Sequence, residues 1–172
     1  MSFVTLTSDR LILRAPEAGD LAAFTAFAGS ARTRYVGAAK TPAQAAEKFA
    51  SMIGQWHLRG YGRFTITDRA SGAPLGHAGP LHFDMDAPVD LTWSLWSAEA
   101  EGRGIASEAA RLVHDWMAAD GRFAGAVTSI HRDNHASKAV ARKIGGVEST
   151  APSPHLADAV LWHFPLKAEA AA

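Results

Sequence analysis

The stretch over residues 91–108, LTWSLWSAEAEGRGIASE, constrains the fold more than any other part of the sequence. Its pattern predicts a strand that runs into a tight loop with Gly102 and Gly104 and is followed at once by a helix. Glycines let backbone N–H groups turn toward an anion, and a helix N-terminus adds the positive end of its dipole. The stretch therefore suits a pyrophosphate, although an ordinary strand-to-helix connection with two turn glycines explains the local pattern equally well.

Two known phosphate-binding motifs do not match this loop. No Gly-Lys-Ser/Thr follows it, so a Walker loop is excluded. Gly102 and Gly104 lack the third glycine of the dinucleotide fingerprint, and no early βαβ unit surrounds them. A nucleotide-phosphate binder of an unrelated fold is therefore disfavoured.

Hydrophobic periodicity predicts a mixed order of strands and helices. Strands are predicted over residues 10–15, 62–68, 75–83, 89–96, 123–130 and 159–165, with a short extra strand over 147–150 left open. Helices are predicted after Asp20 as the N-cap and over residues 42–59, 104–119 and 134–144, and residues 32–40 are predicted to form a loop. Because the strands first pair locally and then alternate with helices, we expect a mixed α/β or α+β fold around one sheet.

Composition narrows the class of protein. Among the 172 residues, 48% are hydrophobic and 20% are charged, which excludes a mostly disordered chain. The 17 basic and 17 acidic residues balance to a net charge of zero, which argues against a dedicated nucleic-acid binder. The sequence has no cysteine, so disulfides, cysteine–zinc sites and catalysis through a thiol are excluded.

The sequence predicts one domain over residues 1–166 and a flexible, Ala-rich tail over 167–172. Its apolar runs are far shorter than a membrane span, and residues 1–10 do not resemble a signal peptide. We therefore expect a cytoplasmic protein with no membrane partner.

Five segments occur in a specific order and spacing. They are RLILR, GYGRFTI, LGHAGPL, WSLW…EGRGIASEA and RDNHASKAVARKIGG. Together they resemble the GNAT superfamily of acetyl-CoA-dependent N-acetyltransferases, above all the branch that acetylates the N-termini of ribosomal proteins. The resemblance covers nearly the whole chain. It implies a central, mostly antiparallel sheet that is splayed at the cofactor site and has helices on both faces.

The resemblance also implies where acetyl-CoA binds. The family's loop pattern falls on Glu101, Gly102, Arg103, Gly104, Ile105 and Ala106. It further implies that the backbone near Leu95 and Trp96 pairs with the pantetheine arm. Asn134, which also suits the N-cap of its helix, is implied to contact the same arm.

Two positions depart from the family pattern. Glu101 stands where the family usually has Gln or Arg, and we expect its side chain to point to solvent, because the loop binds mainly through backbone N–H groups. Gly146 stands where the family usually has an aromatic residue, which makes the local packing uncertain.

Transfer of an acetyl group to an amine requires a proton acceptor, because the amine arrives as ammonium. Asp90 is the best candidate base, since DLTWSLW matches a family pattern that begins with Glu; the shorter Asp side chain favours action through a water. A plain strand-end carboxylate is the alternative. His77, His82 and His131 are rival bases. Ser137 is either a solvated surface residue or the proton donor to the departing thiolate.

The acceptor is not specified by any motif. We expect residues 32–40, 41–59 and 149–158 to select it, and the basic residues Arg32, Arg34 and Lys40 suggest an acceptor with a carboxylate. His131 and His135 have the spacing of a helical zinc pair, but His131 precedes the predicted helix, so no metal is expected. A homodimer stays open. A second function also stays open, namely a non-catalytic acyl-CoA-binding domain for sensing or assembly, because Asp90 replaces Glu and no tyrosine follows Tyr61.

Overall fold

The computed structural model describes residues 3–153 and 156–166. The predicted tail over 167–172 lies outside the described residues, as does part of the predicted acceptor segment 149–158. In the described residues one eight-stranded sheet has the order β1-β2-β3-β4-β5-β6-β8-β7. Its strands are β1 Leu6–Thr7, β2 Leu11–Arg14, β3 Phe64–Asp68, β4 Pro74–Leu81, β5 Asp90–Leu95, β6 Gly125–His131, β7 Val147–Pro152 and β8 Ala159–Pro165.

The four α-helices of the described residues are α1 Leu21–Ala28, α2 Pro42–Arg59, α3 Ile105–Asp120 and α4 His135–Lys143. The predicted mixed α/β fold with a mostly antiparallel sheet is confirmed, and the extra strand left open is β7. Thr41 caps α2 by accepting a hydrogen bond from the N–H of Gln44, and the left-handed Gly60 ends the helix. Local signals of this kind explain why the predicted helices fall within one or two residues of the observed ones. Within the described ranges, none of the helices combines the length and the hydropathy of a membrane span.

Three local features differ from the sequence prediction. The two-residue strand β1 was not predicted, and residues 31–33, at the start of the predicted loop, form a 3₁₀ turn. Asp20 precedes α1, but its side chain does not cap that helix. Its carboxylate instead binds Arg14 through two 2.8 Å hydrogen bonds and accepts a third from Thr65 at 2.9 Å. The capping prediction for Asp20 is therefore wrong, because its carboxylate is occupied by the half-buried guanidinium of Arg14, by Thr65 and by the N–H of Glu17 ahead of the helix.

The sheet separates two apolar clusters. Phe64 and Ile66 of β3 belong to the larger cluster, which includes α3, whereas the smaller cluster joins α1 and α2. Alternation along a strand then directs Arg63 and Thr65 to the opposite face from Phe64. Both faces of β3 are buried, so these polar side chains are also removed from bulk water.

The middle of the sheet is split. β5 is paired with β4 along its whole length, from Leu81↔Asp90 to Gly76↔Leu95. Its parallel pairing with β6 is limited to Asp90↔Val127, while β6 continues along β8. The two strands therefore diverge after Asp90, and the backbone edge of β5 is open to a gap. This is the splayed sheet that the resemblance implied.

Candidate active site

A groove of about 900 Å³ occupies the gap between β5 and β6. Its walls come from the end of β5, the glycine loop, the first turn of α3 and the first turns of α4. Among the residues that were predicted to bind the cofactor, it is lined by Leu95, Glu101, Gly102, Gly104, Ile105, Ala106 and Asn134. The fold thus brings most of the predicted set together on one surface.

The glycine loop has the backbone conformation that the sequence suggested. Gly102 and Gly104 have φ values of 70° and 77°, in the left-handed region that favours glycine. The first hydrogen bond of α3 joins the N–H of Glu108 to the carbonyl of Gly104 at 3.0 Å. The preceding N–H groups of the helix have no acceptor within it, and they face the groove with the positive end of the helix dipole. This arrangement suits a diphosphate.

Arg10 holds the loop in place from the neighbouring strand. Its Nη1 donates to the carbonyl of Arg103 at 3.1 Å, and its Nε donates to Glu108 at 3.0 Å. Ser8 donates to the same carboxylate at 2.5 Å. Burial alone would raise the pKa of Glu108, but these hydrogen bonds from Arg10 and Ser8 outweigh it and lower the pKa below its ordinary value. The side chain of Arg103 does not line the groove.

The open edge of β5 offers backbone groups to the groove. The N–H of Trp96 donates to the carbonyl of Leu75 in β4 at 2.8 Å. Because N–H and C=O groups alternate along a strand, those of Trp93 and Leu95 point away from β4 and into the gap. The indole of Trp96 is 5% exposed and lies in the smaller apolar cluster. Trp96 therefore does not line the groove, whereas Leu95 does.

A second cavity, of about 200 Å³, continues the groove between α1, α2 and the splayed strands. Tyr35, Trp93, Ser94, Asn134 and Ser137 line both spaces, so the two are joined there. Other residues line the cavity and do not line the groove, among them Lys40, Lys48, Arg63 and His77. A molecule in the cavity and a long ligand in the groove would meet beside Ser137.

The sequence matches the family model of the acetyltransferase (GNAT) domain over residues 10–147. The chain belongs to the GNAT acetyltransferase family. A search of curated protein sequences gives no significant match.

Solved structures with the same fold include an acetyltransferase from Agrobacterium tumefaciens, with 28% identity, a TM-score of 0.86 and 95% of each chain covered. A ribosomal-protein-S5-alanine acetyltransferase from Vibrio fischeri is 15% identical, with a TM-score of 0.76 and coverage of 94% of this chain and 96% of that one. A RimL ribosomal L7/L12 α-N-protein acetyltransferase in complex with coenzyme A is 16% identical, with a TM-score of 0.74 and coverage of 94% and 98%. The predicted resemblance to this family and to ribosomal-protein acetyltransferases is confirmed.

The two departures from the GNAT pattern have local explanations. Glu101 is 61% exposed, but it also forms an ion pair with Arg32 at 2.5 Å, so its charge beside the loop is balanced. A Cβ on Gly146 would lie 2.5 Å from Cε1 of Phe164. The ring of Phe164 therefore takes up the space at this position, and a larger residue than glycine does not fit there.

The predicted catalytic residues of this GNAT domain lie in different places. Ser137 lines the junction of groove and cavity. Asn134 lies beside it and accepts a hydrogen bond from the N–H of Ser137 at 3.1 Å, which makes Asn134 the N-cap of α4. Asp90 begins β5, where it pairs with Leu81 and Val127, and it is two residues from the cavity-lining Thr92. Asp90 itself is not among the cavity-lining residues, so its role as base stays a prediction.

The three candidate histidines differ in their position relative to the cavity and in their hydrogen bonds. His82 lies outside the cavity; its ring contacts the hydroxyl of Tyr61 at 2.8 Å and the carbonyl of Ala87 at 3.1 Å. His131 lines the cavity, and its Nδ1 accepts a hydrogen bond from the N–H of Asp133 at 3.1 Å. His77 also lines the cavity and is fully buried, which lowers its pKa well below the ordinary value. His77 is therefore neutral at physiological pH.

Tyr35 and Lys48 fall within the ranges 32–40 and 41–59 that were expected to select the acceptor, but sequence reasoning did not single them out, and it did not identify Arg63. Tyr35 lies in the loop after α1, where no motif marks it, and its ring contacts His131 at 5.1 Å. Lys48 and Arg63 resemble ordinary surface cations of an amphipathic helix and an alternating strand. The signal for Arg63 was a charged residue directly before a strand with both faces covered, and that coverage is a property of the tertiary structure.

Proposed function

We propose that this protein transfers an acetyl group from acetyl-CoA directly to the nitrogen of a primary amine, which is either a protein N-terminus or a small-molecule amine. The observation that carries the proposal is the junction of the groove, which suits a long anionic ligand, with the adjoining cavity. Asn134 and Ser137 lie at that junction. Two substrates that enter from different sides would react there.

The groove fits acetyl-CoA by the chemistry of its donors. Backbone N–H groups of the loop, in the segment formed by Glu101, Gly102, Arg103, Gly104, Ile105 and Ala106, would hold the diphosphate. The open edge of β5 at Leu95, whose carbonyl also accepts a hydrogen bond from Arg32 at 3.4 Å, and the amide of Asn134 would hold the pantetheine arm. Trp96 is left out of the proposed contacts, because its N–H and its indole are both engaged within the protein. When bound, acetyl-CoA supplies an activated thioester.

The reaction forms a C–N bond, breaks the C–S bond of the thioester and converts an ammonium group to an amide, so the nitrogen loses two protons and the thiolate gains one. We assign the proton that is lost before attack to Asp90, acting through a water. The hydroxyl of Ser137 protonates the thiolate, and the second proton of the nitrogen, released as the tetrahedral intermediate collapses, replaces the one that Ser137 gives. The N–H groups of Trp93 and Leu95 point into the gap, where they can donate to a developing oxyanion. The lack of cysteine supports direct transfer without a thiol-bound enzyme intermediate. A cytoplasmic location and a homodimer stay predictions.

Thermal stability and coenzyme A release test the proposal together. Ligand that binds only the folded state raises the melting temperature by mass action, so millimolar coenzyme A should give a clear increase. Acetyl-CoA with a panel of amines should then release free thiol. Stabilisation by coenzyme A without thiol release from any amine would favour the non-catalytic acyl-CoA-binding alternative. A folded protein that coenzyme A does not stabilise would overturn both.

A further inference from the structure

The cavity beside the proposed cofactor groove is positively charged. Lys40, Lys48 and Arg63 line it, and none of its described lining residues is Asp or Glu. Thr33 and Thr128 add buried hydroxyl groups, and His77 adds a neutral imidazole. A cavity with this lining favours an anion over a cation or a purely apolar group.

Arg63 is a buried cation that lines this cavity. Its residue exposure is 4%, and within the described part of the chain its Nε has no hydrogen-bond partner and its guanidinium forms no ion pair. A buried charge that is not paired is costly, and proteins almost always give it a partner. Burial lowers the pKa of Arg63 to about 10, so the side chain still carries its charge at neutral pH.

Among residues 3–153 and 156–166, no carboxylate forms an ion pair with Arg63. Asp20 is the buried acid on the same face of the sheet, but its oxygens are occupied by Arg14, by Thr65 and by the N–H of Glu17. Lys48, on α2, adds to the positive charge. Burial, Arg63 and Lys40 together lower its pKa to about 8, which is the response of an amine in a cationic environment without a nearby anion.

The lining of the cavity differs between its junction with the groove and the rest of its surface. Its end at Ser137 and Asn134 is shared with the groove, and this is where an acceptor amine would meet the thioester. The cationic residues Lys48 and Arg63 line the cavity and are not among the residues that it shares with the groove. The acceptor would therefore have its amine at one end and its negative charge at the other.

We propose that the acceptor is an amine that carries a carboxylate, and that Arg63 and Lys48 bind this carboxylate. The inference rests on the proposed function, because it names the class of acceptor for the same reaction. Arg63 presents a planar donor set that matches a carboxylate, and Lys48 adds a point charge. The cavity has room for an amino-acid-sized molecule or for the first residues of an extended peptide with an acidic side chain.

The cationic end also helps the chemistry. Positive charges near an ammonium group disfavour its charged form, so the bound acceptor loses its proton more readily than it does in water. The bound carboxylate cancels one of the three positive charges of Lys40, Lys48 and Arg63, and the charge that remains increases the fraction of neutral amine at the junction. A neutral acceptor of the same size would lack the orientation through a carboxylate.

The experiment compares acceptors that differ only in charge. Acetyl transfer is measured for γ-aminobutyrate and its amide, and for peptides with Glu or Gln as the second residue. We expect kcat/KM to be at least tenfold higher for the carboxylate member of a pair. Arg63→Met and Lys48→Met should each remove most of that ratio while the KM for acetyl-CoA stays the same. Arg59→Met, which removes an exposed charge at the end of α2 outside the cavity, should leave the ratio unchanged.

A binding measurement separates this inference from the proposed function. Glutarate should raise the melting temperature of the coenzyme A complex more than glutaramide does, and Arg63→Met should remove the difference. Arg63→Met should fold, because it replaces an unpaired buried charge with an apolar side chain. If Arg63→Met does not fold, Lys48→Met, at a half-buried position, replaces it in the measurement.

Each outcome of these experiments has one meaning. Equal transfer to both members of every pair, with equal stabilisation by glutarate and glutaramide, would overturn the carboxylate site and leave the acetyltransferase proposal intact. Glutarate-specific stabilisation without transfer to any amine would support the anion site and contradict the proposed reaction. A preference confined to the small acids or to the acidic peptides supports the inference in either case and identifies the source of the carboxylate.

Discussion

Nε1 of Trp96 donates a hydrogen bond to Nδ1 of His77 at 2.9 Å. Because Nδ1 is the acceptor, the neutral imidazole carries its proton on Nε2. His77 therefore offers a donor to any ligand in the cavity and has no free nitrogen with which to accept a proton. This contact makes His77 a candidate binding residue and disfavours it as the general base.

The variant His77→Asn tests this assignment, since Asn keeps an acceptor for Trp96 and a donor for the cavity. We expect kcat to fall less than tenfold and the pH profile of kcat to keep its shape. Removal of a true general base costs about 10²–10⁴ in rate. A loss in that range, together with a changed pH profile, would make His77 the base.

Gly104→Ala should weaken coenzyme A binding more than it lowers stability. Gly121, which ends α3, provides a matched control, because both glycines have a φ of 77°. A residue other than glycine in this region costs about 1–2 kcal/mol, so Gly104→Ala and Gly121→Ala should lose similar stability in urea unfolding. Of these two glycines, Gly104 lines the groove and Gly121 does not, so only Gly104→Ala should raise the Kd for coenzyme A. Equal affinities in the two variants would show that the loop does not bind the diphosphate.

Asp90→Asn keeps the shape of the side chain and removes its basicity. If Asp90 orders the water that takes the ammonium proton, kcat should fall by about 10²–10⁴ while the KM for acetyl-CoA barely changes. The loss should shrink at high pH, where the amine arrives neutral. Near-full turnover of Asp90→Asn from mildly acidic to mildly alkaline pH would leave Asp90 as a structural strand-end carboxylate.

Ser137→Ala should cause a smaller loss than Asp90→Asn, because a thiolate is a fair leaving group without help. The pH dependence of the remaining activity should match that of the unchanged protein, since Ser137 acts on the leaving group and not on the amine. Parallel pH profiles of kcat for the two variants check this. A profile altered by Ser137→Ala would move Ser137 to the amine side of the reaction.

Asp20→Ala should lower the free energy of unfolding by about 2–3 kcal/mol at neutral pH, because it leaves Arg14 and Thr65 without their acceptor. Burial raises the pKa of Asp20, but the hydrogen bonds from Arg14, the N–H of Glu17 and Thr65 outweigh it, so the pKa lies below its ordinary value of 3.8. A lowered folded-state pKa stabilises the protein fully above the unfolded-state value and loses this effect as the pH falls through the folded-state value.

Urea unfolding of both proteins between pH 6 and pH 2.5 checks the sign. The difference between the unchanged protein and Asp20→Ala should be constant above about pH 5 and shrink below about pH 4. Asp9→Ala, which removes an exposed carboxylate ahead of β2, is the control. A difference that does not change with pH would show that the loss comes from packing and not from the ionised carboxylate.

The sequence by itself determined the elements and the family. Helix α2 was predictable because Thr41, Pro42 and Gly60 mark its ends, and the loop with Gly102 and Gly104 was predictable because positive φ values need glycine. Such signals are local, so they can be identified without knowing what packs against what. Most of the residues that line the groove were predictable for the same reason, because the family motif is defined by the spacing of its residues along the chain.

The tertiary structure decided what the cavity contains. Arg63 is buried only because β3 is covered on both faces, and Asp20 pairs with Arg14 only because the turn before α1 folds back onto β2. Trp96 contacts His77 because the pairing of β4 with β5 places Trp96 opposite Leu75, two residues from His77. Each of these contacts depends on the free-energy balance between burial and pairing across distant segments, and no local pattern encodes that balance. The glycine loop was therefore predictable from the sequence, whereas the cationic lining of the cavity required the fold.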